Sequence, residues 1–280
     1  MYAVTGITGK VGGVVAENLL AQGKQVRAVV RDAGKGKAWA DRGCEVALAE
    51  IDNPDALTKA YAGAEGVFVM LPPYFDPSPG FPEARAAIES VGKALVAPRP
   101  PRVVCLSTIG GQVDRPNLLG QLHMMEEAIG ALKLAVTFLR AGWFMENCAW
   151  DVQPARERGV IPSFLQPLDK PVPMVATADI GKLAAELLAR SEAPGVVELE
   201  GPERISPNRI AAAFARLLEK SVTMEIVPRD SWEQIFRAQG MKNPLPRMQM
   251  LDGFNQGWLE FEGTSRKGSI TIDTVLQSLI

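Results

Sequence analysis

Short apolar runs alternate with stretches of helical spacing through the first 140 residues. The runs are Tyr2–Thr5, Gln25–Val30, Glu45–Ala49, Gly66–Met70, Arg102–Leu106 and Leu134–Leu139. Strands separated by helices of this length read as repeated βα units, and such units build a parallel sheet. Local signals agree with that division. Asn53 caps a helix that has Pro54 at its first position. Leu71-Pro72-Pro73 breaks the fourth run, and a Pro- and Gly-rich loop, Tyr74 to Phe81, leads to a helix near Glu83 to Val96. Beyond Arg140 the rhythm changes. A helix near Trp143 to Val152 precedes the Pro-rich stretch Ile161 to Pro173, which suits an irregular crossover. A helix follows over Ala178 to Arg190, with Thr177 or Asp179 near its start, and then the run Val196–Leu199. Ser206 caps a helix with Pro207 in its first turn, Thr223–Val227 reads as a strand, and Asp230-Ser-Trp-Glu233 has capping-box spacing. The pattern predicts an α/β protein. Residues 1–145 form a doubly wound parallel sheet, and residues 146–280 mainly a smaller C-terminal α+β substrate lobe, with the helix near 178–190 packing back on the sheet.

The turn after the first strand carries the chemistry. Gly6-Ile-Thr8-Gly9-Lys10-Val11-Gly12 runs from a strand directly into a helix over Val11 to Ala21. Gly6 permits the tight turn, Gly9 lets the backbone approach a phosphate, and Gly12 lets helix and strand pack closely. Peptide N–H groups and the helix dipole then face an anion, and a dinucleotide pyrophosphate fits. The sheet is therefore expected to be of the Rossmann type. At the end of the second strand stands Arg31, where an acidic residue would hold a ribose 2′-hydroxyl. Arginine pairs with a 2′-phosphate, so NADP is favoured over NAD. Lys35 and Lys37 follow in a Gly-punctuated loop, and Asp32 is the alternative ribose acid, displaced by one position.

Composition removes other classes. Thirty Lys and Arg against 32 Asp and Glu leave no electrostatic footprint for nucleic acid or an anionic membrane. Cys44, Cys105 and Cys148 are scattered and share the chain with a single His, so no zinc spacing exists and a reducing compartment is expected. Neither a signal-peptide pattern nor an apolar run of membrane-spanning length is present, which makes the cytoplasm the expected location.

In open α/β sheets the ligand lies across the carboxyl ends of the strands. Asp52 and Asn53 follow the third strand, as adenine contacts or as turn and cap residues. Leu71, Pro72 and Pro73 follow the fourth and wall the adenosine ribose and pyrophosphate, or simply end the strand. Ser107 and Thr108 follow the fifth, within reach of a substrate carbonyl or the nicotinamide ribose. Gly142, Trp143 and Phe144 follow the sixth, with glycine for close approach and aromatics for the nicotinamide ring. Trp150, Phe164, Trp232, Phe254 and Trp258 either extend an aromatic pocket or form the core of the smaller lobe.

With Thr5-Gly-Ile-Thr-Gly-Lys-Val-Gly12, Val26–Arg31, Asp52 and Leu139-Arg-Ala-Gly-Trp-Phe-Met-Glu-Asn147, most of the chain resembles the NmrA-like group of atypical short-chain dehydrogenases. That group includes NADPH:quinone oxidoreductases of the second type and NADP-binding regulators. The resemblance implies a Rossmann domain, a small C-terminal lobe and a cleft between them. It also suggests that His123 contacts the nicotinamide or its ribose. One departure matters. Short-chain dehydrogenases usually carry Tyr-x-x-x-Lys on the helix after the fifth strand, but Tyr2, Tyr61 and Tyr74 all precede that helix. His123-Met-Met-Glu-Glu127 stands there instead, with His123 and Glu127 on one helix face. Glu127 would orient the imidazole and favour its protonated form, making His123 a candidate proton donor beside Ser107 and Thr108. The bland reading is a packed or solvent-facing histidine. Loss of the tyrosine harms alcohol dehydrogenation most and reduction of an electron-poor acceptor least. The expected function is NADPH-dependent reduction of a quinone or similar carbonyl by hydride transfer. The alternative is a non-catalytic NADP(H)-binding redox sensor acting through a protein partner, and a homo-oligomer is compatible with either.

Overall fold

The structure is a computed structural model that describes all 280 residues. The predicted βα alternation is present: β1 (Tyr2–Thr5), α1 (Lys10–Ala21), β2 (Val26–Val30), α2 (Ala33–Ala40), β3 (Glu45–Leu48), α3 (Pro54–Tyr61), β4 (Gly66–Val69), α4 (Pro82–Val96), β5 (Val103–Thr108), α5 (Gly120–Gly130) and β6 (Val136–Ala141). Then come β7 (Trp143–Phe144), a 3-10 turn (Met145–Asp151), α6 (Val152–Arg158), β8 (Val160–Ser163), β9 (Met174–Val175), α7 (Thr177–Ala189) and β10 (Gly195–Glu200). The chain ends with α8 (Pro207–Leu218), β11 (Thr223–Ile226), α9 (Trp232–Ala238), α10 (Leu245–Gln256), β12 (Arg266–Lys267) and α11 (Ile272–Leu279).

Eight parallel strands form the main sheet in the order β12-β10-β6-β5-β4-β1-β2-β3. The order reverses between β1 and β4, which opens a crevice at their carboxyl ends. Both faces are covered, so β1, β4 and the first part of β5 are nearly continuous apolar runs. On one face Val11, Val15 and Leu19 of α1 pack with Ile180, Leu183 and Leu187 of α7. On the other, Leu57, Ile88, Val91, Met125 and Ile129 of α3, α4 and α5 close the layer. Two of the predicted capping signals hold: Asn53 Oδ1 accepts from the Ala56 amide at 3.0 Å, and Ser206 Oγ from the Arg209 amide at 3.2 Å.

Four expectations need correction. First, residues 146–280 return to the main sheet with more than the helix near 178–190. β10 pairs in register with β6, Val197 opposite Leu139, and β12 extends the sheet again. No local signal announces pairing between strands so far apart in sequence. Second, Lys35 and Lys37 lie on α2, not in a loop, because Asp32 caps that helix through Oδ1 to the Gly34 and Lys35 amides at 2.6 and 3.2 Å. Third, the predicted helix at Trp143 begins as β7 against β9, and Ile161 in the Pro-rich stretch lies in β8, paired with β11. Fourth, Asp230 caps nothing. A 3-10 turn brings Ser231 to the start of α9, and Glu233 pairs with Arg237 instead.

The smaller lobe has its own core of Phe214, Trp232, Phe236, Phe254 and Leu276. No helix is long and apolar enough to cross a membrane. At the lobe's edge, burial pushes the Asp151 carboxyl up to about 7, opposed by a hydrogen bond from the Cys148 thiol. The folded protein therefore holds a proton here that the unfolded chain has released above pH ~4. This contribution to stability is complete below the unfolded pKa and is lost as pH rises through about 7. Asp151→Asn, which stays neutral, should gain stability relative to wild type between pH ~4 and ~8, read as the difference in thermal midpoint at each pH.

Candidate active site

The glycine turn is built for an anion. Gly6 sits at φ +64°, and a Cβ there would strike the Met70 side chain. A Cβ on Gly12 would overlap the Gly6 carbonyl, so the first turn of α1 lies directly on the loop. Gly9 donates its amide to the Gly6 carbonyl at 2.9 Å, and Thr8, Gly9 and Lys10 are exposed. The amides of Lys10, Val11 and Gly12 have no acceptor in the chain, and neither a side-chain cap nor an acidic residue occupies the first turn. Free donors and a positive helix end converge on one spot. Thr5, which sequence reasoning passed over, stabilises this corner. Its hydroxyl donates to the Phe68 carbonyl at 2.8 Å and accepts from the Met70 amide at 3.0 Å, tying β1 to β4 where the crevice opens.

Arg31 is exposed at the end of β2 and bonds no carboxylate. Asp52 is likewise exposed and unbonded. Tyr74 belongs to the same end of the crevice: its phenol is shifted up by burial first, then by Asp52 and Glu83, while Arg31 opposes. Asp32 and Asn53 are engaged as helix caps. Leu71 is buried, Pro72 half-buried and Pro73 exposed, at the head of a loop that crosses to the smaller lobe. There Asp76 accepts the Lys242 and Asn243 amides at 2.9 and 2.8 Å, which hold its carboxyl below the usual range.

At the other end, β5 runs two residues further than the apolar pattern suggests, so Ser107 and Thr108 belong to the strand. Ser107 is buried and donates to Glu126 Oε1 at 2.5 Å, which commits its hydroxyl away from the crevice. Thr108 is half-buried with a free hydroxyl. Glu126 also takes a two-pronged contact from Arg140, Nε to Oε1 at 2.9 Å and Nη2 to Oε2 at 2.6 Å, both side chains being at most 10% exposed. Glu262 bonds the same guanidinium, and Glu198 lies 3.8 Å away. This cluster went unread in the sequence. An arginine within the apolar strand Val136–Ala141 was the available signal, because a buried charge requires a partner.

The cluster reaches His123 through Gly111. A Cβ on Gly111 would run into the Glu126 carboxylate and the Arg140 guanidinium, and the Gly111 carbonyl accepts from His123 Nδ1 at 2.8 Å. That carbonyl, and not Glu127, orients the ring. Glu127 Oε1 stands 3.7 Å from Nε2, beyond hydrogen-bonding distance, on a side chain 70% exposed. Gly142 also finds its close neighbour inside the chain, since a Cβ there would press on the Pro173 carbonyl. Trp143 packs edge-on against Phe254 at 5.1 Å, and Phe144 is half-buried. Phe164 and Trp232 are likewise packed together, 5.8 Å apart, as lobe core.

Residues 6–191 match a family model described as NAD(P)H-binding. The chain is 28% identical over 251 residues to NAD(P)H azoreductase of Xenophilus azovorans, covering 88% of this chain and 83% of that protein. It is 25% identical over 252 residues to quinone oxidoreductase 2 of Escherichia coli strain K12, covering 89% and 85%. The crystal structure of the NADPH-dependent quinone oxidoreductase of Escherichia coli complexed with NADPH superposes with a TM-score of 0.80 at 24% identity, over 94% of this chain and 92% of that one.

Removing Glu126 leaves Arg140 buried with Glu262 and the more distant Glu198. Glu126→Ala should lose about 3–5 kcal/mol in urea unfolding, and Arg140→Met, which leaves Glu126 and Glu198 buried without their cation, should cost at least as much.

Proposed function

The chain belongs to the NAD(P)H-binding family, and from that premise we propose that it is an NADPH-dependent oxidoreductase that delivers a hydride to a quinone or a similarly electron-poor acceptor. The observation that carries the reading is the pairing of two unsatisfied cationic features along one crevice. The open amides of Lys10, Val11 and Gly12 suit a pyrophosphate, and the unpartnered Arg31 suits a 2′-phosphate one strand away. The lack of a Cβ at Gly6 and Gly12 lets the turn and the first turn of α1 pack together, which holds those amides at one spot. When bound, the nicotinamide supplies a hydride from its C4. The named activities of the two curated relatives, reduction of azo compounds and of quinones, are the chemistry carried over to this chain.

The chain's own residues then have distinct tasks. Thr5 and the glycines shape the phosphate end, Arg31 selects the phosphorylated ribose, and Leu71, Pro72 and Pro73 wall the adenosine side. Thr108 offers the free hydroxyl at the carboxyl end of β5, a role that Ser107 gives up to Glu126. His123 Nδ1 is committed to Gly111, so Nε2 is the ring atom that exchanges a proton with a reduced acceptor oxygen. Without a Tyr-Lys pair the site has no strong proton relay for an alcohol. It suits acceptors whose electron deficiency makes hydride addition favourable before protonation is complete.

Two measurements test this. Purified protein should consume NADPH when a simple benzoquinone is added, and no turnover across a broad panel of quinones and azo compounds would overturn the assignment. Arg31→Ala should weaken NADPH binding about 10- to 100-fold and NADH binding by less than about two-fold in parallel titrations. Equal effects on both cofactors would remove the 2′-phosphate role.

A further inference from the structure

Trp150 is the tryptophan that the smaller lobe leaves outside its core, 63% exposed on the 3-10 turn that follows β7. Beside it stands Arg247, in the first turn of α10, its guanidinium 5.9 Å from the Trp150 ring centre and 4.5 Å from that of the buried Phe236. This half-buried cation has no oxygen acceptor. Its one polar contact runs from Nη1 to the Met241 sulfur at 3.7 Å, and burial pushes its pKa down with no neighbouring carboxylate to oppose the shift. The other buried or half-buried arginines, Arg27, Arg102, Arg140, Arg209 and Arg229, all bond an oxygen. A desolvated guanidinium without a counter-charge is a cost that a structure retains for a reason.

Its location supplies the reason. The segment leading into α10 is fastened to the loop that follows β4, through Asp76, and to the segment that follows β5, through the Leu118 amide on the Pro246 carbonyl at 2.9 Å. Trp150 arrives on the segment that follows β6 and β7. Arg247 therefore lies on the smaller lobe where the segments that leave the carboxyl ends of β4, β5 and β6 converge. We propose that Arg247 and Trp150 form a subsite for an aromatic acceptor that carries an anionic substituent, a carboxylate or sulfonate. The exposed indole offers a stacking face for the planar ring, and the guanidinium fork matches two oxygens of the anion. Phe236 and Met241 hold the fork without competing for it. The substituent takes no part in the electron transfer; it fixes the ring's position. The proposal rests on the reductase reading above.

The test compares 1,2-naphthoquinone with 1,2-naphthoquinone-4-sulfonate, and measures binding of the redox-inert naphthalene-2-sulfonate by quenching of tryptophan fluorescence. Arg247→Gln should raise KM for the sulfonated quinone about ten-fold, leave KM for the neutral quinone within about two-fold, and weaken naphthalene-2-sulfonate binding about ten-fold. Arg247→Lys should fall between the two. Equal effects on both quinones, or none on either, would overturn the subsite. Failure of wild type to reduce either quinone would count against the reductase reading alone, because naphthalene-2-sulfonate binding still decides the subsite. Should Arg247→Gln not fold, Arg247→Lys and the wild-type salt dependence decide. KM for the sulfonate should rise with ionic strength while that for the neutral quinone stays flat, and matching dependence would overturn the proposal.

Discussion

A guanidinium buried inside a parallel sheet has to be neutralised, and the way this protein neutralises Arg140 organises much of the molecule. Glu126 comes from α5, Glu198 from β10, and Glu262 from the segment that precedes β12. Three stretches distant in sequence are thus held to one point at the carboxyl end of β6. Glu198 also accepts the Glu262 and Gly263 amides, so the C-terminal segment is fixed by backbone as well as by charge. Breaking such a cluster on one side exposes the rest to an unpaired buried charge, which is why it behaves as a unit. The consequence for chemistry is indirect. Gly111 must lie flat on the cluster because no Cβ fits, and its carbonyl then sets the orientation of His123.

The opposite end of the crevice follows the reverse principle. Where Arg140 is surrounded by acceptors, the amides at the start of α1 and the side chain of Arg31 have none. Unsatisfied donors at a surface cost little while water serves them, and they are oriented in advance for an anionic ligand. The protein therefore surrounds Arg140 with carboxylates at the end of β6 and leaves Arg31 and the amides that follow β1 open. Arg247, on the smaller lobe, is open as well, but it is half-buried and desolvated and so comes at a cost that the surface donors escape.

Much of this was legible in the residues themselves. Turn glycines, a strand ahead of them and a helix behind them are local features, and the parallel βα rhythm follows from apolar spacing that needs no partner to interpret. The identity of Arg31 reads as cofactor chemistry because the end of β2 is set by the same rhythm. Ser107 shows the limit. It lies at the end of β5, yet its hydroxyl serves Glu126, a partner 19 residues on whose role no spacing rule reveals. His123 and Glu127 share a helix face as periodicity demands, but a shared face does not specify distance, and a backbone carbonyl took the orienting role instead.

The amino-acid order was enough for the fold class, the dinucleotide turn and the place of Arg31 at the end of the second strand, since each depends on neighbours within a few residues. Folding in three dimensions settled which lobe β10 joins, which arginines find carboxylates and which hydroxyl stays free. Those outcomes depend on contacts between segments up to 122 residues apart, as between Arg140 and Glu262, where burial turns an ordinary charge into a demand for a partner. For the glycine turn, the structure sharpened a motif into three open amides and an overlap that only hydrogen at Gly12 avoids.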